Sequence, residues 1–230
     1  MSQPELVIFD CDGTLVDSEI IAGQVDTALL AEAGVKISVE EFNERYAGLT
    51  FGEAVMRVEG DFKVPLQASI IDRSKAILDR RLAEEVLPVP GAQAAVAAVK
   101  SARCVCSNST DERLAAMLGR TGLKPLFGDH VYSARSIPSG RPKPAPDVFL
   151  YAAEKLKADP RRCFVLEDSV HGITAAKRAG MRVIGFTGGA HTWPGHADAL
   201  TEAGAETVIR RWSNLDAVLS ALSEWSEDRA

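Results

Sequence analysis

The chain has 230 residues, 46% of them hydrophobic and 25% charged, with a net charge of −6. That length suffices for one large domain or a core with a smaller partner, and the acidic balance gives no support for nucleic-acid binding, which needs a basic surface. No run approaches ~18 apolar residues, and Met1-Ser2-Gln3-Pro4-Glu5 lacks a basic region leading into an apolar one. Neither a membrane span nor a signal peptide is expected, and a cytoplasmic location is the default. The four cysteines, Cys11, Cys104, Cys106 and Cys163, form no Cys-x-x-Cys pair and have no histidine at zinc spacing; they read as buried, reduced thiols.

Leu6-Val7-Ile8-Phe9 is apolar on both faces, the pattern of a buried strand in a parallel sheet. It ends in Asp10 and Asp12, followed by Gly13, which lets the backbone turn sharply. Extended geometry carried that far would point both carboxylates one way and Cys11 the other. Carboxylates so close repel unless a cation or a shared proton sits between them. An isolated Asp-x-Asp is usually a solvated turn; the strand before it and Gly13-Thr14 after it favour a metal or phosphoryl site. From Ser18 to Ala33, Ile21, Val25, Leu29 and Leu30 recur at helical spacing, with Gly34 as the stop. A second helix is predicted over Val39 to Tyr46, with Ser38 and Glu41 as a capping box. A third starts after Thr50, and a fourth runs from about Pro65 to Glu85 with Pro65 in its first turn. Nothing between Asp17 and Leu87 reads as a strand. Residues 17–87 are therefore expected to be a helical insert, left through Val16-Asp17-Ser18 and closed by the stiff segment Leu87-Pro88-Val89-Pro90-Gly91.

From Gly91 onward helix and strand alternate, the signature of a parallel sheet built from crossover units. Strands are predicted at 103–107, 130–133, 163–167, 182–186 and 207–209, and helices at 92–100, 111–121, 146–157, after 167 to 179, 196–203 and 215–225. The expected fold class is α/β: a Rossmann-like parallel sheet core, residues 1–16 and 88–230, with an inserted all-helical cap. In open parallel sheets function collects where strands end and helices begin. Those positions hold Asp10 and Asp12, Ser107 and Asn108, and Glu167 and Asp168, while Lys143 lies in the loop Arg141-Pro142-Lys143-Pro144-Ala145-Pro146. Singly, each has a plain account. A serine there caps a helix (a job Ser109 or Thr110 can also fill), a lysine between prolines is a surface loop, and an acidic pair suits a helix start. Jointly they bring four carboxylates, a hydroxyl and an ammonium to one edge of one sheet.

The order of these motifs resembles the haloacid dehalogenase superfamily. Phe9 to Thr14 matches its first motif, Ser107-Asn108 its second, Lys143 its third and Glu167-Asp168 its fourth. The insert resembles the C1 cap of the β-phosphoglucomutase-like branch. Phe9 to Glu19, Cys104 to Asn108 and Glu167 to Met181 are most similar to small sugar-phosphate phosphatases, including the 6-phosphogluconate type. The resemblance covers essentially the whole chain. It implies Mg²⁺ held by the Asp10 and Asp168 side chains and the Asp12 backbone carbonyl, with Glu167 acting through water or orienting a ligand. It implies Asp10 as the nucleophile that forms an aspartyl phosphate and Asp12 as the acid and base. Lys143 would stand beside Asp10, and Ser107, the backbone around Asn108 and Gly13 would receive the phosphoryl group.

Asp12 favours a phosphate ester over a halide substrate, because an alkoxide leaving group needs a proton and a halide does not. A β-phosphoglucomutase-like mutase is the alternative. Ala22 stands where those mutases carry a cap histidine, and Tyr46-Ala47-Gly48-Leu49-Thr50-Phe51 contains no Lys or Arg. Only Arg45, Arg57 or another cap cation would then hold a second phosphate, which favours hydrolysis of a singly phosphorylated substrate. A receiver-like phosphoacceptor domain is an alternative of another class; Asp12 and the long insert argue against it. The expected partner is a small phosphorylated metabolite, with no nucleic acid or membrane, and a monomer is the default. His171 is expected at a helix start, exposed or behind the site. His191, Trp193 and His196 fall in a loop whose default is surface packing, with a substrate contact as the lesser alternative.

Overall fold

The computed structural model describes residues 3–46 and 49–227. Ala47 and Gly48 of the expected cap loop lie outside the described residues. Six strands, β1 (Leu6–Phe9), β2 (Ala102–Ser107), β3 (Val131–Ser133), β4 (Cys163–Glu167), β5 (Arg182–Phe186) and β6 (Thr207–Ile209), form one parallel sheet in the order β3-β2-β1-β4-β5-β6. The apolar quartet of β1 is wholly buried because it serves two cores. Val7 and Phe9 join one cluster, Leu6 and Ile8 the other, as a strand covered on both faces requires. The Phe9 ring lies 5.8 Å from Phe127 and 5.9 Å from Trp212 between centroids, and Trp212 stacks on Phe186 at 4.5 Å. Burial of one such ring is worth about 1.5–3 kcal/mol.

The strand order reverses at β1. Successive strands run outward to β3 on one side and, from β4, outward to β6 on the other. The crevice beyond the C-terminal ends of β1 and β4 is thus the switch point at which open α/β sheets take their ligands.

Four helices occupy the stretch expected to be an insert: α1 (Ser18–Glu32), α2 (Val39–Tyr46), α3 (Phe51–Phe62) and α4 (Ser69–Glu85). One start and one cap differ from expectation. Pro65 is not in the first turn of α4, which begins at Ser69; the Leu66 amide instead donates to Glu59 Oε1 at 2.7 Å, pinning this segment back onto α3. Ser38 accepts from the Glu41 amide at 3.1 Å, half of the expected box, whereas the reciprocal capping box forms at Thr50 and Glu53. The segments joining insert and core run side by side. Asp17 N–H donates to Leu87 O and Val89 N–H to Leu15 O, and Val16 pairs antiparallel with Pro88.

The remaining helices are α5 (Ala92–Ala98), α6 (Asp111–Arg120), α7 (Lys124–Phe127), α8 (Asp147–Leu156), α9 (Val170–Arg178), α10 (His196–Glu202) and α11 (Leu215–Glu227). The four-residue α7, with a proline in its first turn, is too short to show a period and escapes the sequence pattern. Insert and core also meet laterally: Arg113 of α6 donates to Asp79 Oδ1 of α4 through Nε at 2.9 Å and Nη2 at 2.6 Å. All four cysteines are free and buried, Cys11 inside the first apolar cluster. No helix among the described residues is long and apolar enough to cross a membrane.

Candidate active site

β1 ends at Phe9, and the Asp10 amide donates to Leu166 O of β4, which fixes Asp10 at the switch point. Lys143 reaches it from the proline-rich loop. That residue is not the surface lysine its neighbours suggest: it is buried, and Nζ donates to Asp10 Oδ1 at 2.5 Å, Glu167 Oε1 at 2.6 Å and Cys106 O at 2.7 Å. Three partners use all three ammonium protons. The Phe149 ring lies 4.9 Å away and closes the remaining side. Burial by itself pushes the Lys143 ammonium down, but Asp10 and Glu167 more than reverse this and hold it well above its ordinary value. Burial pushes the Asp10 carboxyl well up, Lys143 opposing, with Glu167, Asp168 and Asp12 adding to the rise. Glu167 is likewise pushed up by burial against the charge of Lys143. Its second oxygen, Oε2, accepts from the Ser169 amide at 3.1 Å and hydroxyl at 2.9 Å.

Asp12 points elsewhere. Its Oδ1 accepts from Ser18 Oγ at 3.0 Å, and its Oδ2 accepts from Ser107 and Ser109 Oγ, each at 2.9 Å. The two neighbouring aspartates therefore have distinct surroundings: an ammonium for Asp10, three hydroxyls for Asp12. A hydroxyl can donate to a carboxylate or accept from a carboxylic acid, so the same partners suit both forms of Asp12. The Asn108 side chain faces backbone: its Oδ1 accepts from Lys143 N–H at 2.8 Å and its Nδ2 donates to Lys143 O at 3.2 Å. This pair of bonds carries the Lys143 loop. Ser109 is not the helix cap; Thr110 accepts from the Arg113 amide at the start of α6.

The loop after β5 supplies what sequence reasoning missed. His191 is not on the surface: its Nε2 lies 2.9 Å from Asp168 Oδ2, with the side chain 9% exposed. Thr14 Oγ1 donates to the other carboxylate oxygen at 3.1 Å. His196 is buried too; its Nε2 bonds the Asp168 carbonyl at 2.7 Å, and its ring stacks on Trp193 with centroids 3.8 Å apart. The position of this loop at the C-terminal end of β5, equivalent to the ends of β1 and β4, is the signal that places its histidines in the site rather than on the surface. Gly13, at φ +71°, explains the close fit: a Cβ there would lie 2.1 Å from Asp168 Oδ2 and 2.7 Å from His191 Cε1. Glu19, in the first turn of α1, also faces the site. Burial pushes its carboxyl up to about 7, His191 opposing and Asp12 and Asp168 adding to it. His171 is exposed, as expected.

A family model described as haloacid dehalogenase-like hydrolase matches residues 4–180. The chain belongs to that family. Among curated relatives, the 6-phosphogluconate phosphatase of Escherichia coli K12 is 30% identical over 195 residues, 84% of this chain and 87% of that protein. Hexitol phosphatase B of the same organism is 34% identical, covering 80% of this chain and 85% of its own. Among solved structures, a conserved haloacid dehalogenase-like protein of unknown function from Agrobacterium tumefaciens C58 superposes with a TM-score of 0.93 at 52% identity. That match covers 95% of this chain and 99% of that one.

Members of this hydrolase family generally use Mg²⁺, and the residues present fit it. Asp10, Glu167 and Asp168 offer carboxylate oxygens all within 4.8 Å of one another. Asp10 and Glu167 share the one ammonium of Lys143 while Asp168 meets His191, an excess of negative charge that a hard divalent cation with oxygen ligands would relieve. Both oxygens of Glu167 are engaged by Lys143 and Ser169, and both oxygens of Asp168 by Thr14 and His191. The Asp12 carboxylate is not in that cluster.

Proposed function

We propose that the chain is a Mg²⁺-dependent phosphatase that hydrolyses a small phosphate monoester, a sugar, sugar-acid or polyol phosphate, through an aspartyl phosphate on Asp10. Residues 1–16 and 88–230 would form the catalytic core, and 17–87 the cap. The observation that carries the reading is the unequal pairing of Asp10 and Asp12 at the switch point: one carboxylate held by the buried Lys143 ammonium, the other by three hydroxyls. The named activities of the two Escherichia coli relatives support the substrate class.

Mg²⁺ bound at Asp10 and Asp168 would supply positive charge that lets a phosphate dianion approach a carboxylate. Lys143 holds Asp10 Oδ1 and leaves the other oxygen to attack phosphorus. The new O–P bond forms as the ester P–O bond breaks, and Asp12 gives its proton to the departing alkoxide. Asp12 then takes a proton from a water that attacks the aspartyl phosphate, which frees inorganic phosphate and restores both carboxyl groups. Ser107 and Ser109, whose hydroxyls rest on Asp12, can turn toward phosphoryl oxygens, and Asn108 keeps Lys143 in place through its backbone. Arg45 does not offer itself to a second phosphate: it pairs with Glu41 and Asp61 at 3.0 Å each, within the cap.

The test is release of inorganic phosphate across sugar, sugar-acid, polyol and nucleotide monophosphates with Mg²⁺, with and without EDTA, for the wild type and Asp10→Asn. Turnover of a carbohydrate phosphate that vanishes with EDTA and with Asp10→Asn is expected. Full activity of that variant, or indifference to EDTA, would overturn the mechanism.

A further inference from the structure

The loop between β5 and α10 binds two parts of the molecule at consecutive residues. His191 Nε2 bonds the Asp168 carboxylate at 2.9 Å, and the neighbouring Ala190 amide donates to Asp17 Oδ1 at 2.8 Å. Asp17 sits at the N-cap position of α1, where an aspartate ordinarily accepts from its own helix, yet it makes no such bond. Its carboxylate is spent across the hinge instead, on a residue far along the chain. The slot for the imidazole is built from missing side chains. A Cβ on Gly13 would lie 2.7 Å from the ring, and one on Gly189 would lie 2.8 Å from His191 Nδ1 and 2.5 Å from Gly13 O.

A carboxylate that binds a metal must present one rotamer, and its orientation is set by what holds its other lone pairs. Asp168 has Thr14 on Oδ1 and His191 on Oδ2. Thr14 belongs to the first motif, whereas His191 belongs to a loop anchored at the hinge.

We propose that His191 is a positioning residue that orients Asp168 for the metal, and that the Ala190–Asp17 bond ties this orientation to the hinge from which the cap springs. This rests on the reading of Asp10 and Asp168 as metal ligands. Loss of the Asp17–Ala190 bond would loosen the loop and release Asp168; the intact bond holds the carboxylate ready.

The test measures metal binding without turnover. Free Mn²⁺, an octahedral, oxygen-preferring stand-in for Mg²⁺, is titrated into the full chain and followed by its electron paramagnetic resonance signal. The proteins are wild type, His191→Phe, His191→Gln, Asp17→Ala and the double variant His191→Phe/Asp17→Ala, each checked for an unchanged melting temperature. Phe fills the slot without a donor, and Gln restores an N–H at about the reach of Nε2. Affinity is expected to fall about tenfold for His191→Phe, the lower end for groups behind a metal ligand, and to return to within roughly threefold of wild type for His191→Gln. Asp17→Ala is expected to weaken binding on its own and to add little to His191→Phe, because both act through one loop. Wild-type affinity in His191→Phe, or an equal loss in His191→Gln, overturns the positioning role. Effects of the two sites that simply multiply overturn the hinge link. Absence of Mn²⁺ binding by the wild type overturns the metal-site reading itself, a result distinct from the others.

Discussion

At the level of single residues, the site works by giving like groups unlike neighbours. Asp10 and Asp12 are two positions apart, yet one is fixed by a buried ammonium and the other by hydroxyls from Ser18, Ser107 and Ser109. This division makes a specific claim about proton transfer. Asp12→Asn keeps a carbonyl oxygen for the serines and loses the transferable proton. Activity on an alkyl phosphate should fall by on the order of 10²–10⁴, the usual range for a general acid. An aryl phosphate, whose leaving group needs less protonation, should lose much less. Initial rates on the two ester types decide it, and equal losses would assign Asp12 a structural role. Gly13 makes a second claim. Because its φ is +71° and a Cβ would meet Asp168 Oδ2 at 2.1 Å, Gly13→Ala should displace Asp168 and abolish metal-dependent turnover even where circular dichroism shows the fold retained. Normal Mg²⁺ dependence in that variant would show that the contact yields cheaply.

Among the elements, the pairing of α1 with α4 encloses a buried carboxyl. Asp26 of α1 accepts from Ser74 Oγ of α4 at 2.6 Å. Burial pushes its carboxyl up to about 6, against the Ser74 hydrogen bond and the charge of Arg113. With the folded value raised, the native chain keeps a proton between about pH 4 and 6 that the unfolded chain has lost, so stability falls as pH rises through that window. At 1.36 kcal/mol per unit the effect is at most roughly 3 kcal/mol. Asp26→Asn can still accept from Ser74 and carries no such proton. Its urea-unfolding free energy relative to wild type should therefore improve from pH 4 to pH 7 and then level off. A difference that stays constant with pH would show that Asp26 ionises in place at little cost. The start of α4 teaches a related lesson: a proline compatible with a first turn does not make one when the next amide is claimed by Glu59.

For the whole molecule, apolar residues of insert and core share one buried cluster, and polar bonds join the two at the hinge and away from it. At the hinge, Asp17 and Val89 donate to Leu87 and Leu15 and align the two connecting segments. Away from it, Asp79 and Arg113 bridge α4 and α6 with side chains 46% and 22% exposed. A half-exposed ion pair contributes at most about 1 kcal/mol to stability, but this one also ties α4 to α6. Asp79→Ala should leave the melting temperature almost unchanged and speed hydrogen exchange at residues 15–18 and 86–90. Unaltered exchange there would mean that the hinge is held by its own backbone bonds alone.

Much of this protein was decided by local pattern. The apolar quartet before Asp10, the switch from period two to helical period after Ser18, and the return to alternation after Gly91 specify a parallel sheet with a helical insert, because burial on both faces leaves little choice of residue. The same reasoning places Asp10, Ser107, Glu167 and Asp168 at strand ends and so at one edge of the sheet. What local pattern does not contain is which partner each side chain meets. Lys143 is 133 residues from Asp10, Asn108 is 35 from Lys143, and Ala190 is 173 from Asp17. Those meetings follow from the strand order β3-β2-β1-β4-β5-β6, which puts β4 beside β1 and brings the loop after β5 over Asp168. The residue types of the opening motif announce the chemistry; packing across the switch point makes Asp10 and Asp12 unequal and brings His191 into the site, because contacts at such separations depend on topology rather than on neighbouring sequence.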